Sequence, residues 1–146
     1  MHINKWFLTL GLISQFVLAN SVEIPPSITV YTTQNYSIMH SELANQIYYL
    51  DDVEQWEDRI SRRLSSNPVQ AQLQAQQFFN SPDWVDYREK LKSAYQGVIS
   101  GWQNGIKKVP AVLFQHPNIE SVVVYGETNV LNAEKQWQLW LKQQNR

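Results

Sequence analysis

The residue types that do chemistry in small proteins are scarce in this chain. There is no cysteine among its 146 residues, so a disulfide, a reactive thiolate and a thiolate-bound metal are excluded. His40 and His116 lie far apart and belong to no pattern of histidines and carboxylates that suggests a metal site. We therefore predict no catalytic residue, no metal and no cofactor.

Three acidic residues lie close together, at Asp51, Asp52 and Glu54. Paired carboxylates can act as general acid and base. The same spacing suits the first turn of a helix, because negative side chains stabilise the positive end of the helix dipole. We interpret these residues as the start of a helix, with Asp52 as its N-cap.

A proline opens an apolar strand at Val109–Pro110, directly after Lys107 and Lys108. Proline lacks a backbone donor and so suits the first residue of a strand or an edge strand. The two lysines could hold an acidic peptide beside the strand, or could simply favour the negative end of the preceding helix. The sequence leaves both interpretations open.

The apolar patterns predict the elements that would position these residues. Runs rich in β-branched and aromatic residues predict strands at 27–33, 46–50, 109–114 and 121–126, with a short helix possible at 37–46. Apolar residues three and four apart predict helices that begin near Asp52, Asn67, Ser81 and Asn129. This order predicts an α/β domain, with helices packed on a mixed four-stranded sheet.

Apolar residues on two of these helices are expected to face the core. The helix after Ser81 carries Trp84, Tyr87, Leu91, Tyr95, Val98 and Trp102 at such spacing, and the last helix carries Val130, Ala133, Trp137 and Trp140.

Residues 1–21 have the composition of an export signal. Lys5 precedes a mostly apolar run from Trp6 to Leu18, and small residues follow at Ala19 and Ser21. The run is shorter than the roughly 20 residues of a membrane span. We expect a cleaved signal peptide at 1–21 and one domain at 22–146 without stable membrane insertion, the alternative being an uncleaved anchor. A net charge of −1 gives no reason to expect direct nucleic-acid binding.

Four stretches resemble a family of small exported proteins encoded in integrating conjugative elements. They are VYTT at 30–33, YYLDD at 48–52, the block at 95–114, and VVYGETNV at 123–130. The resemblance, over roughly residues 27 to 143, implies a periplasmic thioredoxin-like domain that serves conjugative DNA transfer by a type IV secretion machine. Its helical segment between the second and third strands would be enlarged. The layout is also similar to that of pilin-assembly proteins of plasmid conjugation. One departure is QHPNIES at 115–121, which predicts a longer loop or a shifted register where the family has a tight hairpin.

In thioredoxin-like proteins the proline that opens the third core strand is usually cis, so the resemblance implies a cis Pro110. Since cysteine is absent, we expect a non-redox groove there that binds an extended peptide. The expected partners are other conjugation or secretion proteins. The expected groove residues are Tyr31, Thr32, Lys107, Lys108, Val109 and Pro110.

Three other interpretations remain. The protein could be a structural subunit of the secretion channel, held through its aromatic surface, or an exported binding domain unrelated to conjugation. An enclosed polar pocket with strongly shifted carboxylates would favour an enzyme without a recognisable motif. Two or more exposed tryptophans, clustered away from Pro110, among Trp56, Trp84, Trp102, Trp137 and Trp140 would favour the channel hypothesis.

Overall fold

The computed structural model describes residues 24–144 as a mixed α/β domain with a four-stranded sheet and four α-helices. The predicted signal peptide at 1–21 lies outside the described residues. Among the described helices, none is long and apolar enough to cross a membrane. In chain order the elements are β1 (Ser27–Thr32), a 3₁₀ helix (Ser41–Leu43), β2 (Gln46–Tyr49), α1 (Asp52–Ser61), α2 (Pro68–Phe79), α3 (Asp83–Gln103), β3 (Ala111–His116), β4 (Ile119–Tyr125) and α4 (Val130–Gln144).

The strands lie in the order β2-β1-β3-β4. β1 runs parallel to β2 and antiparallel to β3, while β3 and β4 form an antiparallel hairpin. β1 and β3 are therefore the two central strands. Their apolar runs are almost continuous because helices cover both faces of the sheet there.

α4 packs on one face of the sheet through the positions that its apolar spacing predicts. Val130 and Ala133 are fully buried, and Trp137 is nearly so. The Trp137 ring stacks on Phe114 of β3, with ring centroids 5.4 Å apart and an angle of 8° between the planes. This contact is the centre of the main hydrophobic core.

α3 covers the other face through small residues. Its buried positions are Ala94, Gly97 and Gly101. A Cβ atom added at Gly97 would lie 2.9 Å from Cδ1 of Tyr48, so no side chain fits between the helix and β2 at this point. The helix backbone rests directly on the tyrosine rings of the sheet.

The predicted inward face of α3 is therefore correct for the first half of the helix and wrong for the second. Trp84, Tyr87 and Leu91 are half-buried. Tyr95, Val98 and Trp102 are 42%, 40% and 80% exposed. Their three- and four-residue spacing does mark one face of the helix, but it is the solvent face. The close approach of the helix to the sheet leaves room only for the small residues on the opposite side.

α1 and α2 form a helical lobe with the first turns of α3. Neither α1 nor α2 contains a buried residue. Phe78 instead meets Trp84 and Tyr87 edge-on, with ring centroids 5.6 and 5.2 Å away. The Arg63 guanidinium lies over Phe78 and Tyr87, and its Nη2 donates to the Tyr87 hydroxyl at 2.8 Å. Half-buried aromatic rings, with a cation laid across them, hold the lobe together.

The helix starts follow the sequence with one correction. As predicted, Asn67 caps α2, since its Oδ1 accepts the Val69 and Gln70 amides ahead of Pro68. For α1 the N-cap is Asp51, because Asp52 is already helical. The Asp51 carboxylate accepts the Gln34 amide and Nε2 of Gln55, and does not cap the backbone amides of the first turn.

The β3–β4 hairpin is tighter than its sequence predicts. β3 continues to His116 and β4 begins at Ile119, which leaves only Pro117 and Asn118 in the turn. The expected long loop is therefore wrong. A shift in pairing between Phe114 and His116 accommodates the extra residue as a β-bulge, so the shifted-register alternative is the correct one.

Candidate functional site at the Pro110 end of the sheet

Pro110 lies where the ends of three strands meet. The Val109–Pro110 peptide bond is cis, as the resemblance implied. The next residue, Ala111, pairs with Tyr31 near the end of β1. The Pro110 carbonyl accepts the amide of Gly126, directly after β4, at 2.9 Å. The structure thus brings the predicted site residues of β1 and of the 107–110 segment together.

Three of the six predicted groove residues offer little or no surface to a ligand, because Pro110 is buried along with Tyr31 and Thr32. Tyr31 and Thr32 are fully buried, because β1 is a central strand with helices on both faces. The Tyr31 hydroxyl shares a hydrogen bond with Oγ of Ser100, at 2.7 Å, and accepts one from Nδ2 of Asn104, at 3.1 Å. The tyrosine therefore ties β1 to the end of α3. Its role is to hold in place the strand that lies beneath the 107–110 segment.

Lys107, Lys108 and Val109 form the accessible part of the site. Both lysines are exposed and Val109 is half-buried. Within the described chain neither lysine forms an ion pair. Nζ of Lys108 lies 5.3 Å from the ring centroid of Tyr125, and the Lys107 amide donates to the Tyr125 hydroxyl at 3.4 Å. The surface is therefore cationic, with an aromatic ring beneath it.

Tyr125 is the residue of this surface that sequence analysis missed. The strand pattern of VVVYG does place Val123 and Tyr125 on one face of the sheet. Both pack at the margin of the small core around Tyr31 and Leu113. That alternation was the available signal, but the sequence does not show that the 107–109 segment returns over the ring.

Hydrogen bonds fix the loop that follows β1. The Gln34 amide donates to both carboxylate oxygens of Asp51, at 3.2 and 3.1 Å. Nε2 of Gln34 donates to Asp52 at 3.1 Å. The two carboxylates thus anchor this loop to the start of α1, which agrees with their interpretation as helix-start residues.

Further along the same loop, Met39 is joined to the segment before α4. Its amide donates to the Thr128 carbonyl at 2.9 Å, and its carbonyl accepts the Val130 amide at 3.0 Å. The backbone around the Pro110 end of the sheet is therefore connected on the α4 side as well.

The two histidines have structural surroundings. Nδ1 of His116 accepts the Asn118 amide at 3.2 Å, so Nε2 carries the proton and donates to the Ile24 carbonyl at 3.1 Å. His116 thus links the hairpin turn to the segment before β1. His40 is exposed and contacts Glu42. A hydrogen bond to its own backbone, and then the one to His40, lower the pKa of the Glu42 carboxyl. Across residues 24–144, no three His, Asp or Glu side chains come together as metal ligands.

A groove of about 550 Å³ lies far from Pro110. It separates the 24–26 segment from α4, at the end of the sheet where His116 lies. A smaller groove of about 240 Å³ runs between β2 and α3. Both are open to solvent, so neither is the enclosed polar pocket that would favour an enzyme. We place the candidate site at Pro110 because free cations and strand ends converge there.

Exposed tryptophan is limited to one of the five positions considered above. Trp102 is 80% exposed, whereas Trp137 is buried and Trp56, Trp84 and Trp140 are half-buried. The cluster of exposed tryptophans that would favour a channel subunit is therefore not observed among these five positions.

Comparison with known proteins gives one match. The family described as "Protein of unknown function (DUF1525)" matches residues 25–143, which is almost all of the described chain. No curated protein and no solved structure matches the sequence significantly. The chain therefore belongs to the DUF1525 family.

Proposed function

We propose that this protein is an exported, non-redox, thioredoxin-like binding component that assists a conjugative transfer apparatus of the type IV secretion class in the periplasm. The sequence blocks at 95–114 and 123–130 support the link to integrating conjugative elements. Its ligand would be an extended segment of another protein of that apparatus, bound at the Pro110 end of the sheet.

The strand order supports the thioredoxin-like part of the proposal. A β2-β1-β3-β4 sheet with one antiparallel hairpin, a final helix on one face and a cis proline before β3 is the layout that the resemblance implies. One feature departs from it, since only the 3₁₀ turn Ser41–Leu43 stands between β1 and β2. The three helices between β2 and β3 form the enlarged helical segment that was expected.

One observation carries the binding proposal: an accessible backbone segment lies beside unpaired cations, with no thiol nearby. Within residues 24–144, the Val109 amide and carbonyl have no hydrogen-bond partner. Lys107 and Lys108, just before it, are exposed and unpaired. An extended peptide could bond to the Val109 backbone, and an acidic side chain of that peptide could pair with the lysines. Because cysteine is absent, such binding would not lead to disulfide exchange.

Conjugative transfer from a donor that lacks the gene tests this proposal. We expect transfer to fall on deletion and to recover with the wild-type gene. The double variant Lys107→Glu/Lys108→Glu should transfer at least about tenfold less, which corresponds to roughly 1.4 kcal/mol of lost binding. The matched control, Lys135→Glu/Lys142→Glu, makes the same charge change on α4 and should restore transfer.

Each step of the experiment has an outcome that decides. Unchanged transfer after deletion would refute the conjugation proposal. Full recovery with Lys107→Glu/Lys108→Glu would remove these lysines from the binding surface. Immunoblots of the periplasmic fraction and circular dichroism of the purified variants show whether each is exported and folded.

A further inference from the structure

The two edges of the sheet differ in how far they are protected. β2 is an edge of only four residues, Gln46–Tyr49, whereas β4, at the other edge, has seven. Natural edge strands are usually blunted by short length, lysine, proline or a covering segment. β4 contains neither lysine nor proline, and Glu120 is its only charged residue. Within the described chain β4 pairs with β3 alone.

The ladder between β3 and β4 shows which backbone groups of β4 are free. The Gly126 amide donates to the Pro110 carbonyl. Hydrogen-bonded pairs alternate in an antiparallel ladder, so the backbone groups of Val124 and Val122, two and four residues before Gly126, also face β3. The intervening residues Ser121, Val123 and Tyr125 must turn their amides and carbonyls away from β3. No described residue outside the ladder accepts or donates a hydrogen bond there.

We propose that this edge of β4 pairs with β4 of a second copy, in an antiparallel register centred on Val123. Val123 then lies opposite Val123 of the second copy, and Ser121 opposite Tyr125. Because the outward groups occur at alternate residues on both sides of Val123, every free amide and carbonyl of the three residues meets a partner. Two sheets become one continuous eight-stranded sheet.

The side chains suit this register. Val122 lies opposite Val124 of the second copy, and half-buried valines at directly opposed positions stabilise a strand pair. Glu120 lies opposite Gly126, so no like charges face each other.

Symmetry also limits the assembly to two copies. The interface uses the same strand from each chain, so the contact closes on itself after one pairing. The free edges that remain are the two short β2 strands. The proposal does not depend on the peptide site at Pro110 or on conjugation.

The mass of the purified protein in solution is the first test, measured by light scattering. We expect twice the mass of the single purified chain. Ser121→Pro removes one outward amide and should yield monomers, while the matched Ser121→Ala keeps that amide and should stay dimeric. Circular dichroism checks that Ser121→Pro is folded. A monomeric wild-type protein, or a dimer that Ser121→Pro leaves intact, would overturn the proposal, and a monomer would point to a strand from another protein.

A cysteine cross-link tests the register and does not depend on how Ser121→Pro folds. The natural chain has no cysteine, so a single one reports on its own surroundings. Val123→Cys should join two chains under a mild oxidant, since directly opposed residues lie within the Cα separation that a disulfide spans. Val69→Cys, on the exposed face of α2, should remain monomeric on a non-reducing gel. If Val123→Cys cross-links no better than Val69→Cys, β4 is not paired about Val123.

Discussion

The two faces of the sheet are covered in different ways. On one face, α4 buries large side chains, and the Trp137 ring lies flat on Phe114. On the other face, α3 contributes small residues, two of which are Gly97 and Gly101, and its backbone rests on tyrosine rings. The aromatic residues of the helical lobe pack mainly on one another, beside the sheet.

Similar aromatic content in two regions therefore does not mean a similar contribution to stability, because the rings differ in burial. Both regions are rich in aromatic residues, but the deeply buried rings belong to the sheet and to α4, at Tyr31, Phe114 and Trp137. In the lobe, rings such as Phe78 and Tyr87 remain half-exposed, so each contributes less apolar surface to the folded state. We therefore expect the α4 face to dominate the free energy of unfolding, and the lobe to open more readily.

The largest expected effect comes from truncating one aromatic ring on the α4 face and one in the helical lobe. Trp137→Ala should lower the free energy of unfolding by about 3–5 kcal/mol, as for a buried aromatic residue, and Phe78→Ala by about half of that because its ring is partly exposed. Urea denaturation measures both. Trp102→Ala is the control, since this ring is 80% exposed and its loss should change stability by no more than about 0.5 kcal/mol. Equal losses of stability for Trp137→Ala and Phe78→Ala would contradict the distinction between the α4 face and the helical lobe.

A smaller effect distinguishes the two glycines of α3. At Gly97 an added Cβ would lie 2.9 and 3.1 Å from Cδ1 and Cβ of Tyr48, atoms that cannot easily withdraw. Gly97→Ala should therefore destabilise the protein, because a clash of about 1–3 kcal/mol exceeds the gain of about 1 kcal/mol in helix propensity. At Gly101 the nearest atom would be 3.5 Å away, an ordinary contact. Gly101→Ala should leave stability unchanged or raise it by up to about 1 kcal/mol.

Thermal and urea unfolding of the two alanine variants decide between these outcomes. If Gly97→Ala is as stable as Gly101→Ala, α3 does not approach β2 as closely as described. Because both substitutions lie in the same helix and are chemically identical, propensity cancels in the comparison.

The smallest effect concerns a surface contact that joins α3 to α1. The Tyr95 hydroxyl donates to the Glu57 carboxylate, and this hydrogen bond raises the pKa of Tyr95 above its ordinary value. A raised folded pKa means that the contribution to folding is present below the unfolded tyrosine pKa, about 10, and is lost as pH rises through the folded value. Glu57→Gln should therefore lower the pKa of Tyr95.

Difference absorbance of the tyrosinate during alkaline titration measures this change. Asp58→Asn removes a neighbouring carboxylate, which pairs with Arg62 and not with Tyr95, and should leave the Tyr95 titration in place. The same curve for wild type and Glu57→Gln would show that the hydroxyl does not bond to Glu57 in solution.

Much of the fold could be predicted because local signals agree with the tertiary structure. Asn67–Pro68 caps a helix by local hydrogen bonds, and the apolar run at 111–114 is continuous because β3 is central. The inward face of α4 followed from its spacing. In each case the residues that give the pattern are the ones that make the contact.

The errors arose where distant contacts decide the outcome. In the second half of α3, Tyr95, Val98 and Trp102 face solvent because Gly97 meets Tyr48, a residue far away in sequence. Similarly, Tyr31 was correctly placed beside Pro110, but its burial depends on α3 and on the bond to Ser100. Lys108 over Tyr125 required knowledge of the β4 register. A sequence pattern identifies a face, while the packing partner decides whether that face is buried.

The central pair of strands has a consequence for the order in which the chain can fold. Val30 of β1 pairs with Val112 of β3, and the whole helical lobe lies between them in sequence. The sheet therefore closes a long loop, and the chain entropy of that loop is lost before the central contacts form and compensate for it. β3 and β4, in contrast, can pair through a two-residue turn as soon as both have been synthesised. The early hairpin would then offer β3 as the template on which β1 docks, and its β4 edge would be exposed throughout that interval.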